Sequence, residues 1–380
     1  MAIGLQPNSA MAVLQGLASQ GRKFQRIVLM HGPNQSRLSA DAVAQFGASL
    51  KIVVPKNPSN SSTLEKFELD QPFDSGVVSR LHNTMFSEGG VVDTSALNDW
   101  IVVYGSGTVP MNVALVGPWL KRDEYWSHLW DYNEVTRRLT NANGYCIEFG
   151  HASRIPLETL VAARTRREPS FVSRPDSASS RTKIGREVFA SAISHLAGSM
   201  GARLAQEIGP TLEREVERFL RQSLPNTKSL QRNLELRFQV GQLPASSREI
   251  DVLLESPSGR LLLVSCAAVT SKNKSTTAIR TEVRHKVNEV RQLATNYFGS
   301  EAKTLTVFLT WSPAGTPLPE SPIIAGARFD AQITNHPTAK HWLISGHELF
   351  GTTKREYRAT INDPQRADKR IPGLSSWLKA

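Results

Sequence analysis

The sequence predicts an α/β protein of two domains, and three observations predict it. Short apolar strands alternate with glycine turns and helix-like segments through the first half. A helix, three strands, a long helix and another strand follow one another in the second half. Between the two, apolar periodicity gives way to a stretch rich in Arg, Pro and Ser. A chain of 380 residues also exceeds the roughly 100–200 residues that one core usually serves. The expected divisions are 1–150, a basic linker at 151–186, a second domain at 187–345 and a basic tail at 346–380.

In the first domain, Arg26–Met30 is a compact apolar strand that runs into the turn His31-Gly32-Pro33-Asn34. Ser39–Leu50 carries helical spacing, with Val43, Phe46 and Leu50 on one side, and Lys51–Pro55 reads as a second strand. Trp100–Tyr104 is another strand. It is followed at once by Gly105-Ser106-Gly107-Thr108 and an apolar helix, Pro110–Leu120. Strand, glycine turn and helix in repetition predict a parallel sheet. A glycine turn ahead of a helix can also cradle phosphate, because the backbone approaches closely and the helix amides supply positive potential.

In the linker, Arg164, Arg166, Arg167, Arg174, Arg181 and Lys183 are interspersed with Pro169, Pro175 and serines. Helical spacing then resumes through Val188, Ile193, Leu196, Met200 and Leu204, and a second helix is expected at Thr211–Leu224. Strands follow at Glu235–Val240, Glu249–Glu255 and Leu261–Ala267, the last two joined by the turn Ser256-Pro257-Ser258-Gly259. A helix over about Ala278–Phe298 and a strand at Thr304–Trp311 close the order.

Composition narrows the function. Forty per cent hydrophobic residues support packed cores and exclude a disordered chain. A formal charge of +11 and a pI near 9.8 favour capture of polyanions, nucleic acid among them. Two cysteines, Cys146 and Cys266, build neither a disulfide framework nor a cysteine-based zinc site. Without a signal-peptide pattern or an apolar run approaching the ~20 residues of a membrane span, a cytoplasmic protein with no membrane partner is expected. No G-x-S-x-G, H-E-x-x-H or Walker-type motif occurs.

The hairpin Glu249-Ile250-Asp251-Val252-Leu253-Leu254 and Leu261-Leu262-Leu263-Val264-Ser265-Cys266-Ala267 carries the chemical argument. An Asp flanked by Ile250, Val252 and Leu253 in a buried strand needs a partner or a metal. Gly209-Pro210-Thr211-Leu212-Glu213, Arg248-Glu249-Ile250-Asp251-Val252 and Leu262-Leu263-Val264-Ser265-Cys266 resemble the PD-(D/E)XK nuclease pattern. They are most similar to the version in CRISPR-associated proteins that join a CARF domain, a CRISPR-associated Rossmann fold, to a nuclease. The resemblance implies an N-terminal Rossmann-like CARF domain and a C-terminal mixed α/β, restriction-endonuclease-like domain. It matches Glu213 to the helix carboxylate, Asp251 to the first strand carboxylate and Cys266 to the residue whose carbonyl faces the metal. Asp251 and Glu213 are then expected to converge beside that carbonyl on Mg²⁺ or Mn²⁺, hard ions that take oxygen ligands. Ser265 stands where the pattern has its second carboxylate, and Ala267 where it has a lysine. Glu249, or Lys272, Lys274, Lys286, Glu282 and Glu289 from nearby segments, are the candidates to replace those groups.

Gly105-Ser106-Gly107-Thr108-Val109-Pro110-Met111 resembles a segment of CARF domains, which bind cyclic oligoadenylates across a two-fold dimer axis; Val109 replaces a lysine common there. The resemblance implies a homodimer and a ligand site made of Gly105, Ser106, Gly107, Thr108 and Met111, faced by His31, Gly32, Asn34, Gln35 and Ser36. Tyr125–Leu139 resembles the closing hairpin of these domains. Two functional readings follow. One is a type III-like sensor-effector that binds a cyclic oligoadenylate and controls a nuclease-like domain with weakened or lost cleavage. The other is a non-catalytic nucleic-acid-binding or scaffold protein that retains both folds.

Overall fold

The computed structural model describes residues 1–3, 7–33, 35–54, 64–69, 76, 86, 92, 97, 99–105, 108–121, 123–133, 138–149, 156–165, 167, 169–174, 189–190, 201–224, 226–227, 229–238, 247–257, 260–270, 274–298, 302–311, 320–333, 340–361 and 367–379. The chain divides into two compact units, Met1–Arg167 and Glu168–Ala380. Both are mixed α/β, as the sequence predicts. Among the described residues no helix is long and apolar enough to cross a membrane.

In the first unit, β1 (Ala2–Ile3), β2 (Ile27–His31) and β3 (Leu64–Glu68) form a parallel sheet in the order β1-β2-β3. A second sheet runs β4 (Val102–Tyr104), β5 (Leu129–Asn133), β6 (Arg138–Asn141) and β7 (Cys146–Glu148). β4 and β5 pair parallel, and the rest antiparallel. Strand residues of both sheets feed two shared cores. Leu29 and Val103 pack with Met11, Leu14 and Leu17 of α1 (Asn8–Ser19) and Val43 and Phe46 of α2 (Gln35–Ser49). Val28, Met30 and Val102 pack with Met111 and Leu115 of α3 (Val109–Val116) and with Trp119. Helices therefore cover both faces, which is why these strands read as continuous apolar runs. α4 (Leu157–Thr165) ends the unit's regular structure.

The expected strands at 26–30 and 100–104 are present with small shifts, and β5 and β6 form the expected hairpin. Lys51–Pro55 is a correction. Among the described residues, 51–54 yield one bridge, Phe24 with Val53, because Lys51 has φ +51 and breaks the extended run. The third strand of the sheet is instead the half-exposed β3, whose sequence LEKFE alternates charge with apolar residues.

The second unit is built on a six-stranded sheet in the order β13-β12-β11-β10-β9-β8. The strands are β8 (Pro169–Ser173), β9 (Ser229–Phe238), β10 (Ser247–Glu255), β11 (Leu261–Thr270), β12 (Ala302–Trp311) and β13 (His341–Ser345). β11, β12 and β13 are parallel, whereas β8, β9, β10 and β11 pair antiparallel. One face is covered by α5 (Gly201–Ser223) through Ile208, Leu212, Val216, Phe219 and Leu220. The other is covered by α6 (Thr276–Leu293) through Ile279, Val283 and Val287, and by α7 (Glu320–Asp330) through Ile323, Ile324 and Ala327. The order α5-β9-β10-β11-α6-β12 is the one the sequence predicts.

Three boundaries are corrected. The segment 151–186 is not simply a linker: 169–173 is β8, whose Phe171 pairs with Leu236 and lies 6.4 Å from the Phe298 ring. α5 runs through Gly209-Pro210 instead of starting after it. The described residues of 346–380 are more than a basic tail. They form α8 (Gly346–Phe350), α9 (Lys354–Ile361), α10 (Ala367–Arg370) and α11 (Leu374–Lys379), and Leu349, Phe350, Tyr357, Ile371 and Leu374 complete the core beside α5.

Candidate functional site

In the second unit the pairing of β10 with β11 stops at Val252 and Val264. β10 continues against β9 to Ser247, and β11 continues against β12 to Thr270. The two strands thus part into a fork, and Asp251 is the first residue inside it. Parting from β10 leaves the Cys266 N–H without a ladder acceptor on that strand. The Cys266 N–H donates instead to Oδ2 of Asp251 at 2.6 Å.

Alternation along the strands fixes which side chains share a face. Val252, Leu254, Leu262 and Val264 lie in the core beneath α5, and Ala267 and Val269 in the core beneath α6. Glu249, Asp251, Ser265 and Ala267 therefore belong to the α6 face. Glu213 belongs to α5, which covers the opposite face. Asp251 and Glu213 thus come from elements on opposite faces of the sheet, and both act on Cys266 between them. The Cys266 thiol lies where both carboxylates are felt. Burial, then Asp251 and then Glu213 push it well above the ordinary thiol range, with Arg232 opposing.

Burial raises the Asp251 carboxyl to about 6, and Glu249 adds to the rise. The Cys266 amide, Lys286 and the Ser265 hydroxyl pull the other way. Glu249 Oε1 accepts from Nη1 of Arg174 at 3.1 Å. Directly across the ladder, Glu235 accepts from Arg237 at 2.7 Å and Arg174 at 3.2 Å, and those bonds take its carboxyl down to about 2. From α6, Lys286 donates to Glu289 at 2.9 Å. Burial works against its ammonium, but Glu289, Asp251 and Glu249 outweigh it and raise its pKa. Lys274 is paired with Glu282, and Lys272 lies outside the described residues.

These donors do not fit a Mg²⁺ or Mn²⁺ site of the two-carboxylate kind. One Asp251 oxygen is taken by an amide, Glu249 is held by an arginine, Ser265 offers a neutral hydroxyl and Ala267 offers no polar group. Among the described residues no three His, Cys, Asp or Glu side chains gather as a metal site.

In the first unit, a cavity of about 90 Å³ opens at the carboxyl end of β4, lined by Ser9, Ala10, Val13, Val103, Tyr104, Gly105 and Tyr132. Gly105 has φ +102, and a Cβ there would lie 2.7 Å from Oδ1 of Asp131, so only glycine fits. Its N–H donates to Oδ1 of Asn112 at 3.1 Å. Thr108 caps α3, its hydroxyl accepting from the Met111 N–H at 3.4 Å.

Of the expected ligand residues, Gly105 lines this cavity. Met111 does not: it is fully buried in the core beside Trp119 and Leu129. His31 is also buried. Its strand lies between β1 and β3, and its Nδ1 is 2.7 Å from the Gly32 carbonyl oxygen. Gly32 is buried as well. Asn34, Ser106 and Gly107 lie outside the described residues, as do the side chains of Gln35 and Ser36, which begin α2. The wall facing Gly105 is the first turn of α1, because the first strand is residues 2–3 and not 26–30. The run Pro7-Asn8-Ser9 ahead of the apolar Met11–Leu17 is a helix-start signal that could have marked it.

No protein-family model matches the chain, and no curated protein matches its sequence. Among solved structures, the crystal structure of protein VC1899 from Vibrio cholerae matches over 100% of this chain and 97% of that one, with a TM-score of 0.57 and 10% identity. The shared fold therefore extends across both units. A structure described as a type III CRISPR defence DNA nuclease activated by cyclic oligoadenylate matches more loosely. It aligns with 84% of this chain and 46% of that one, at a TM-score of 0.46 and 16% identity.

Proposed function

We propose that this chain is a CRISPR-associated, type III-like sensor-effector. Its first unit binds a cyclic oligoadenylate, and its second is a PD-(D/E)XK-like domain that binds nucleic acid with cleavage weakened or lost. The observation that carries the reading is the fork. Asp251, Ser265 and Ala267 share its α6 face, at the positions where the PD-(D/E)XK pattern has two carboxylates and a lysine. The position of Asp251 keeps its carboxylate, but that carboxylate now secures the Cys266 amide. Binding is retained without the donors that hydrolysis needs.

The ligand is assigned to the crevice between α1 and the Gly105 turn, at the carboxyl end of β4, where open α/β sheets take nucleotides. A second copy would complete the site across a two-fold axis. α3 beside the turn exposes Val109 and Val113, an apolar face suited to that copy. A ligand acts on the second unit only through its differential affinity for two arrangements. The basic balance of +11 supplies the attraction for a phosphodiester backbone.

The test titrates cyclic oligoadenylates of several ring sizes into the full chain and follows binding and melting. It then measures retention and cutting of single-stranded and supercoiled DNA and of RNA in Mg²⁺ or Mn²⁺. Binding of one ring, with nucleic acid held but not cut, is the expected outcome. No binding of any ring would remove the sensor reading. Efficient cutting abolished by Asp251→Ala would remove the claim of lost cleavage.

A further inference from the structure

We propose that the exposed face of α9 is where the second unit grips nucleic acid, with Lys354, Arg355 and Arg358 on the phosphodiester backbone. This surface deepens the nucleic-acid reading above and rests on it. α9 is amphipathic. Tyr357 and Thr360 are buried, and the Tyr357 ring lies 5.6 Å from Phe189 and 6.1 Å from Phe350 in the core beneath α5. At about 3.6 residues per turn, Lys354 and Arg358 lie one above the other with Arg355 beside them. All three are exposed.

The one carboxylate of this helix is turned away from them. Glu356 accepts from the backbone N–H of Thr352 at 2.7 Å and of Thr353 at 3.2 Å, and from the Thr352 hydroxyl at 3.2 Å. Thr353 completes a capping box, its hydroxyl accepting from the Glu356 N–H at 3.1 Å. The turn needs Gly351, which has φ +87 and where a Cβ would lie 2.4 Å from that of Glu356. Among the described residues, Lys354, Arg355 and Arg358 have no hydrogen-bond or ion-pair partner. Around α6 the charges are arranged differently. There Lys274 pairs with Glu282 and Lys286 with Glu289, so those cations are neutralised in place.

Cations left unneutralised on one helix face attract polyanions. A second copy of this chain carries the same +11 and is repelled. Duplex DNA presents a phosphate charge about every 1.7 Å along its axis and meets such a row with its backbone. α9 belongs to the α5 side of the sheet, whereas Asp251 belongs to the α6 side. Nucleic acid held on α9 therefore needs no contact with Asp251, which accords with retention without cutting.

The full chain, free of cyclic oligoadenylate, is titrated into a short fluorescent DNA duplex and a single-stranded RNA over a range of salt. Lys354→Gln, Arg355→Gln and Arg358→Gln together are expected to weaken duplex binding about tenfold. The slope of log affinity against log salt should flatten by about 2.7, from three phosphate contacts at ~0.9 each. Melting should not fall, because the three side chains are exposed. Arg355→Lys with Arg358→Lys should keep the slope, as should Arg284→Gln with His285→Gln on the exposed side of α6. If the triple variant does not fold, Arg358→Gln alone serves, with a change of about 0.9. Folded α9 variants that keep the wild-type slope would overturn the proposal. So would displacement of the duplex by polyglutamate at equal charge concentration, which points to an acidic protein instead. A wild type that holds neither duplex nor RNA removes the nucleic-acid reading and this surface together. A wild type that binds, with α9 variants matching it, removes this surface alone.

Discussion

Oδ2 of Asp251 lies 2.6 Å from the backbone nitrogen of Cys266, at the point where β10 and β11 cease to pair. The bond makes Asp251 a latch between two parting strands. A buried amide left without an acceptor costs about 1–3 kcal/mol. Asp251→Ala should therefore lose about that much stability in urea unfolding at neutral pH. Asp251→Asn keeps an acceptor and removes a charge that burial disfavours, so it should stay within about 1 kcal/mol of wild type. Equal losses in the two variants would show that the latch contributes nothing.

The hairpin that carries this latch was legible because β10 and β11 are long apolar runs separated by a Ser-Pro-Ser-Gly turn. Which helix covers which face was not. Both strands are apolar on both faces at Ile250–Leu254 and Leu261–Val264, so alternation alone cannot say that Asp251 faces α6 while Glu213 sits across the sheet. β8 was hidden for another reason. PSFVS is a short, half-exposed edge strand embedded among arginines and serines, and composition outweighed its weak period. The helices from Gly346 onward are not legible because each is short and gives the core at most two buried apolar residues, too few to show a period.

Gly105 should tolerate no side chain. At φ +102 an L-residue is strained, and its Cβ would meet the Asp131 carboxylate. Gly105→Ala is expected to cost about 1–3 kcal/mol and to distort the cavity that Tyr104 and Tyr132 share with it. Adding Asp131→Ala removes the clash but not the strain, so melting should recover only in part. Full recovery would mean that the backbone conformation at this turn is undemanding.

If the first unit pairs through α3, charge on its outer face should separate the copies. Val109 and Val113 lie one turn apart, 75% and 48% exposed. Val109→Glu with Val113→Glu places like charges against each other across a two-fold axis. Sedimentation should then report a monomer with unchanged melting and weaker cyclic oligoadenylate binding. A wild type that sediments as a monomer at all concentrations, or a variant that still dimerises, would move the interface elsewhere.

His341 sets an acid limit on the second unit. It pairs with Thr304 in the β12–β13 ladder, and its Nδ1 lies 2.7 Å from the Thr304 hydroxyl. Burial lowers its imidazole to about 4, helped by the nearby cations Arg291, Lys340 and Lys303. In the unfolded chain the ring titrates near its ordinary value of about 6.5. As pH falls from about 6.5 toward 4, the unfolded state takes up a proton that the folded state refuses, so stability falls across that window and is intact above it. The slope should stay below about 1.4 kcal/mol per pH unit, because solvent at the partly exposed ring screens some of the effect. His341→Gln keeps a polar group beside Thr304 but does not titrate. Urea midpoints of wild type and His341→Gln should therefore differ most above pH 7 and converge toward pH 5, with wild type falling more steeply. Parallel pH profiles for the two proteins would show that His341 is protonated as readily in the folded chain as in the unfolded one.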